Sequence, residues 1–156
     1  MPSDCVFCDV VQSPNSSSDL IVYQDDLVLA AHVLDHEGAT YLGQLLLQTK
    51  RHVPGYAELT DGEAVAAGLA LTRVARALKA CTAAEKIYAF TFAEVVPHLH
   101  TYVTSRYRGT PVEYWRMNVQ QWPDAPRGDR QAVGALCERL RTALGSVPAA
   151  RANDSP

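Results

Sequence analysis

Val96-Pro97-His98-Leu99-His100-Thr101-Tyr102-Val103-Thr104 sets two histidines and a tyrosine at every second position of an apolar, β-branched run. A period of two is the period of a strand, so the spacing predicts that His98, His100 and Tyr102 share one face and Leu99, Thr101 and Val103 the other. Such a row has two explanations. One is a half-exposed strand whose histidines are hydrogen-bonded and inert. The other is a reactive site, and what separates them is whether the rest of the chain supplies partners.

Upstream of this stretch, Leu20–Tyr23 and Leu27–Val33 are apolar runs joined by Gln24-Asp25-Asp26, a turn composition that predicts a hairpin. Leu42–Thr49 reads as a third strand, apolar at consecutive positions and so buried on both faces, delivering Lys50-Arg51-His52 at its end. Thr60 with Glu63 makes a capping box for a helix over about Asp61–Ala80. Ala67, Leu71, Val74 and Leu78 recur at helical spacing there, and Cys81 falls just past its end. Ile87–Phe92 is a fourth strand and Pro97–Ser105 a fifth. The order β-β-β-α-β-β predicts an α+β domain with a five-stranded antiparallel sheet. Downstream, Trp115 and Trp122 stand in a segment of little periodicity, which implies docking against something. Asp129–Leu144 is a second amphipathic helix with Gly145 as its cap. These readings place one domain over residues 1–145, made of an N-terminal segment (5–19), the sheet with its helix, an aromatic tail (107–128) and a C-terminal helix (129–145). Residues 146–156 form a disordered tail.

The composition narrows the classes of function. The chain has 156 residues, 47% of them hydrophobic, with a formal net charge of -3. It has the apolar content of a globular domain and lacks the positive charge that drives nucleic-acid binding. No apolar run approaches the ~20 residues a membrane helix needs, and the N-terminus carries no basic-then-hydrophobic leader, so the expected location is cytoplasmic. Four cysteines, two of them as Cys5-x-x-Cys8, fit thiols or a metal better than a disulfide framework.

A Cys-x-x-Cys pair serves zinc, redox chemistry and chance alike. Structural zinc takes four S or N ligands, and two from a tight turn with two from distant strands is one solution. His52 ends one expected strand and His98 begins another. If those ends are adjacent, Cys5, Cys8, His52 and His98 close a Cys2His2 site. The alternative is a pair of reduced thiols under a loop with His52 on the surface; His32 with His36 is a rival pair that offers no cysteine.

Taken in order, Cys5-x-x-Cys8, Tyr23-Gln24-Asp25-Asp26-Leu27-Val28-Leu29-Ala30, Lys50-Arg51-His52-Val53 and Pro97-His98-Leu99-His100 resemble the histidine triad (HIT) superfamily, in the branch with a zinc-binding cysteine pair. The resemblance runs from Cys5 to about Arg108. It implies a five-stranded antiparallel sheet with two helices, a homodimer, and hydrolysis or transfer at the α-phosphate of a nucleotide, of the phosphoramidate or dinucleoside polyphosphate class. It implies structural Zn2+ on Cys5, Cys8, His52 and His98. It makes His100 the nucleophile with His98 and Tyr102 beside it, and it puts His32, Glu94, Val96 and Arg106 at the nucleotide. A neutral imidazole is suited to the task, since one nitrogen attacks phosphorus while the other keeps its proton on a backbone carbonyl.

Three positions depart from that pattern. Tyr102 replaces the third histidine and donates one hydrogen bond without carrying positive charge. Ala93-Glu94-Val95 stands where nucleoside phosphoramidate hydrolases often have Gly-Gln-Ser, and Glu94 brings a carboxylate toward an anionic substrate. Val33 takes the place of the aspartate that typically grips ribose. These departures keep two other readings open: a nucleotide-binding protein without turnover, and a zinc-containing interaction module whose Trp115–Trp122 segment docks a partner. Arg106 is either a phosphate contact or a structural ion-pair residue.

Overall fold

A computed structural model describes residues 5–13, 18–35 and 38–145. The 146–156 tail, the centre of the polar loop after Gln12, and His36 lie outside the described residues. In chain order the elements are α1 (Val6–Gln12), β1 (Ile21–Gln24), β2 (Val28–His32), β3 (Thr40–Tyr41), β4 (Gln44–Thr49), α2 (Asp61–Thr82), β5 (Ala84–Phe90), β6 (His100–Tyr107), β7 (Arg127–Gly128) and α3 (Arg130–Gly145). Two 3-10 helices, Val112–Tyr114 and Arg116–Gln121, lie between β6 and β7.

The main sheet has five strands in the order β1-β2-β4-β6-β5, every neighbouring pair antiparallel. The predicted hairpin is present: Asp25 Oδ1 accepts the Leu27 and Val28 N–H groups at 2.8 and 2.9 Å. Side chains alternate across the sheet. Val28, Leu45, Leu47 and Val103 point to one face and meet Val74 and Leu78 of α2 and Leu136 and Leu140 of α3 in the core. The other face carries Gln44, Gln48, His100, Tyr102 and Arg106, with α1 over one end and the 3-10 segment over the other.

Four boundaries differ from the sequence reading. The third strand starts at Gln44, two residues later than expected, because Gly43 takes a left-handed turn (φ 82°), and Thr40–Tyr41 before it form β3, which pairs with β7. A side chain at Gly43 would also meet Ser105 Oγ at 2.8 Å. The helix predicted to stop at Ala80 runs on to Thr82 and ends where Ala83 adopts φ 54°, so Cys81 lies in its last turn. The fifth strand starts at His100, after Leu99 N–H has bonded to Val53 carbonyl, and continues to Tyr107. The fourth runs from Ala84 to Phe90. At α3, Asp129 caps the Ala132 N–H, and Gly145 is the last helical residue.

The capping box forms as predicted and does a second task. Glu63 accepts from the Thr60 N–H at 2.8 Å and from Arg51 at 2.8 and 2.6 Å, while Arg51 also reaches Glu58 carbonyl. Arg51 therefore ties the start of α2 to the chain leaving β4, one residue before His52. The Arg51 guanidinium, with the Thr60 N–H, holds the Glu63 carboxyl down to about 2. A lowered folded-state value contributes stability that is present above the ordinary carboxylate range and is lost as pH falls through about 2. Glu63→Gln keeps an acceptor for the cap but removes the charge. It is expected to melt several degrees below wild type at pH 7, with the gap closing as both are titrated from pH 5 toward pH 2; a gap independent of pH would refute the assignment.

Candidate active site and metal centre

The ends of β4 and β6 meet, which is the condition for the four metal ligands to converge. Thr49 N–H bonds to Leu99 carbonyl at 3.3 Å and Leu99 N–H to Val53 carbonyl at 2.6 Å, so His52 and His98 approach from two adjoining segments. Cys5 and Cys8 reach them from the start of α1. Cys5 Sγ lies 3.4 Å from His98 Nδ1, Cys8 Sγ 3.4 Å from His52 Nδ1 and 3.6 Å from His98 Nδ1. All four ligand atoms fall within 4.8 Å of one another. Tetrahedral zinc with ordinary Zn–S and Zn–N bonds needs S···N edges of about 3.6 Å, so the four residues fit that ion.

The second nitrogen of His98 completes the case. His98 is fully buried, and its Nε2–H donates to Thr49 carbonyl at 2.8 Å, which leaves the Nδ1 lone pair facing the sulfurs. Burial also lowers its proton affinity, keeping the ring neutral as a ligand must be. Without a cation, burial and the neighbouring Cys5 push the Cys8 thiol up. A divalent ion reverses that balance.

His100 opens the face of the sheet that α2 and α3 leave free. Its Nδ1–H donates to His98 carbonyl at 2.7 Å. That bond fixes the tautomer with Nε2 unprotonated, and Nε2 has no hydrogen-bond partner among the described residues. The ring is held on a second side by Phe7, whose centroid lies 4.3 Å away at 31°. Phe7 is pinned in turn by Gln48, which donates to its carbonyl at 2.9 Å. Gln48 is the cross-strand partner of His100, so α1 is clamped directly over the imidazole. The sequence reading missed both Phe7 and Gln48, taking the cysteine pair for its ligands alone although Phe7 sits between them.

A cavity of about 430 Å³ lies against His100, lined by Phe7, Phe92, Tyr102 and the turn carrying Ala93, Glu94 and Val96. Tyr102 stands edge-on to His100, centroids 5.6 Å apart. Ala93 has φ 52°, a conformation natural to glycine, so the turn keeps the shape a glycine would give it. Glu94 is exposed and is the one charged side chain on this lining. Tyr102, Glu94 and Val96 are thus gathered around His100.

Two other expected nucleotide contacts, His32 and Arg106, are not on this lining. His32 spends both nitrogens on backbone: Nδ1–H donates to Val33 carbonyl at 2.6 Å and Nε2 accepts from Gly43 N–H at 3.0 Å. Alternation along β2 sets it with Val28 and Ala30, on the face opposite to His100. Arg106 lies six residues along β6 from His100, roughly 20 Å away at strand rise. It bonds to Glu85 at 3.1 Å and stacks on Trp115 at 4.4 Å, the ion-pair role of the two open to it. The tryptophans dock on their own chain: Trp115 also donates to Thr110 carbonyl, and Trp122 packs with Tyr41, Val119 and Ala125.

No family model matches the chain, and no curated protein is similar to it. Solved structures are. A hypothetical histidine triad nucleotide-binding protein from Sulfolobus tokodaii superposes with a TM-score of 0.69 at 18% identity, over 90% of this chain and 92% of that one. A zinc-bound histidine triad family protein from Mycobacterium smegmatis gives 0.64 at 20% identity, over 91% and 94% of the two chains. A HIT-like protein involved in cell-cycle regulation from Bartonella henselae gives 0.65 at 18% identity, over 92% and 98%. The fold is the HIT fold. Within it, the S2N2 cluster and His100 occupy adjoining ends of β4 and β6. Among the described residues no helix is long and apolar enough to cross a membrane.

Proposed function

We propose that the chain is a HIT-like nucleotidyl hydrolase or transferase that forms a covalent nucleotidyl intermediate on His100. The observation that carries the reading is the 2.7 Å bond from His100 Nδ1–H to His98 carbonyl, which leaves Nε2 as a free nucleophile facing an open cavity. Nε2 attacks the α-phosphorus, the N–P bond forms, and the bond to the leaving group breaks with its electron pair, which takes a proton from solvent. Water, or a second acceptor, then attacks phosphorus and loses a proton, and the imidazole departs. Nδ1–H stays on His98 carbonyl throughout and stabilises the positive charge on the ring. Tyr102 donates to a phosphate oxygen from the same lining. Cys5, Cys8, His52 and His98 would hold Zn2+, which when bound would supply a structural tie; His98, held also by Thr49 carbonyl, sets the carbonyl that orients His100.

In this reading residues 1–145 act as one domain, the enzyme is a cytoplasmic homodimer, and the substrates are phosphoramidates or dinucleoside polyphosphates of the cell. The test is product formation from adenosine and guanosine phosphoramidates and dinucleoside polyphosphates, with and without added phosphate, and mass spectrometry of the quenched protein. A nucleoside monophosphate together with a nucleotidyl adduct on His100 supports hydrolysis. A diphosphate that needs added phosphate supports phosphorolysis. Binding with neither product nor adduct would leave a nucleotide-binding protein.

Glu94 tunes the same site. A carboxylate within a few ångströms of an anionic substrate costs about 1 kcal/mol under solvent-screened conditions. Glu94→Gln is therefore expected to lower KM about threefold to tenfold at low salt, with kcat changed less and the gain fading as salt rises. An unchanged KM at every ionic strength would show that Glu94 turns away from the phosphate.

A further inference from the structure

The two histidines of the metal cluster are held in different ways. His98 is fully buried and spends its second nitrogen on Thr49 carbonyl. His52 is half-buried, lies outside any strand or helix, and has no hydrogen-bond partner for Nε2 among the described residues. A ligating ring that lacks such a bond depends on its backbone for orientation. That backbone is tied on both sides. After His52, Val53 carbonyl accepts the Leu99 N–H at 2.6 Å; before it, Arg51 carbonyl accepts the Thr49 hydroxyl at 2.9 Å. The Arg51 side chain adds the strongest tie. Its fork gives charge-assisted bonds of 2.8 and 2.6 Å to the two oxygens of Glu63, and a third bond of 2.8 Å to Glu58 carbonyl.

The anchor at the other end is itself fixed. Glu63 is 3% exposed and closes the capping box of α2, accepting the Thr60 N–H while Thr60 Oγ1 accepts its own N–H. The capping box is complete without a guanidinium. What Arg51 adds is a set distance between the first turn of α2 and the residue before His52. Fixing a ligand in its bound position beforehand removes an ordering cost that binding would otherwise carry. We infer that Arg51 and Glu63 are positioning residues of the metal centre: from the first turn of α2 they hold the backbone of His52 in its ligating place, so that zinc binding and the closed Arg51–Glu63 pair favour each other. The inference rests on the zinc assignment made above and is independent of the chemistry at His100.

Competition between the reduced protein and a chromophoric chelator for Zn2+ tests it, in wild type, Arg51→Met, Arg51→Met/Glu63→Gln and Val133→Ala. Arg51→Met is expected to bind zinc about tenfold or more weakly, the loss that follows removal of a group supporting a metal ligand. Adding Glu63→Gln should change that affinity no further, because Glu63 acts on His52 only through Arg51. Val133→Ala, in the core of α3, is expected to melt lower yet bind zinc as wild type does, a contrast that a merely structural ion pair would not give. Arg51→Lys keeps the charge without the fork; it should fall between wild type and Arg51→Met, and it carries the test if Arg51→Met does not fold. By reciprocity, the Arg51 Nε–H, which donates to Glu63, should exchange with solvent faster by about the same factor when zinc is removed from wild type. Equal zinc affinity in wild type and the Arg51 variant, a further change on adding Glu63→Gln, an equal loss in Val133→Ala, or an Arg51 Nε–H indifferent to zinc would overturn the inference. So would a wild type that binds no zinc, the one outcome that rejects the metal centre as well.

Discussion

His100→Ala is expected to cut release of nucleoside monophosphate by at least about a thousandfold, because it removes the atom to which phosphorus is transferred. The size follows from the arrangement. No other described nucleophile shares the lining: Phe7, Phe92, Val95 and Val96 are apolar, Glu94 is a carboxylate on a mobile-length exposed side chain, and Tyr102 holds its oxygen on an aromatic ring suited to donating. The fold should survive. His100 is 8% exposed and its lost contacts are the stack on Phe7, the edge contact with Tyr102 and one bond to His98 carbonyl, so the cost should be about 1–2 kcal/mol, a few degrees of melting temperature. His100→Gly with added imidazole is the stricter version, because the free base occupies the vacated space and restores an attacking nitrogen. Activity that survives His100→Ala would assign the chemistry to another group.

What could be read from the sequence followed the range of the interactions. The hairpin at Asp25, the capping box at Thr60 and Glu63, and the two amphipathic helices depend on residues within a turn of one another, and local spacing reveals them. The strand alternation around His100 also held, because a period of two survives any sheet topology. What failed was set by contacts distant in the chain. The late start of β4 after Gly43 goes with Leu42 N–H bonding to Pro126 carbonyl and β3 pairing with β7, more than 80 residues on. Arg106 was open to two roles, and its ion pair with Glu85 on the neighbouring strand is beyond the reach of local spacing. The place of His32 on the core face follows from its alternation with Val28 and Ala30 along β2. Gln44 and Gln48 were the missed signal. They stand four apart in β4, and their parity puts both on the face of the sheet that carries His100.

Removing the metal ligands should act on α1 first and on His100 through it. Seven residues are too few for a helix to persist unaided, and within α1 Cys8 alone is fully buried while Val6 is 57% exposed. Beyond the cysteines, the described tie to the sheet is the Gln48 bond to Phe7 carbonyl, together with the Phe7 ring on His100 and His98. The core under α2 and α3 uses none of these residues. Cys8→Ser, or a chelator strong enough to compete, is therefore expected to free α1 while the sheet stays folded. If free zinc stands a thousandfold above its Kd, the linkage is worth about 4 kcal/mol, or roughly 10 °C of melting temperature for a chain of this size. Hydrogen exchange should show the loss: amides of residues 6–12 exchange freely in Cys8→Ser, those of β4 and β6 beyond the metal end stay protected. The His100 ring resonances should shift at the same time, since Phe7 no longer shields them. Elemental analysis of wild type provides the complementary measurement, and one zinc per chain is expected. Metal-free wild type with α1 fully protected would show that packing alone holds the helix, and that the cysteines serve as buried thiols.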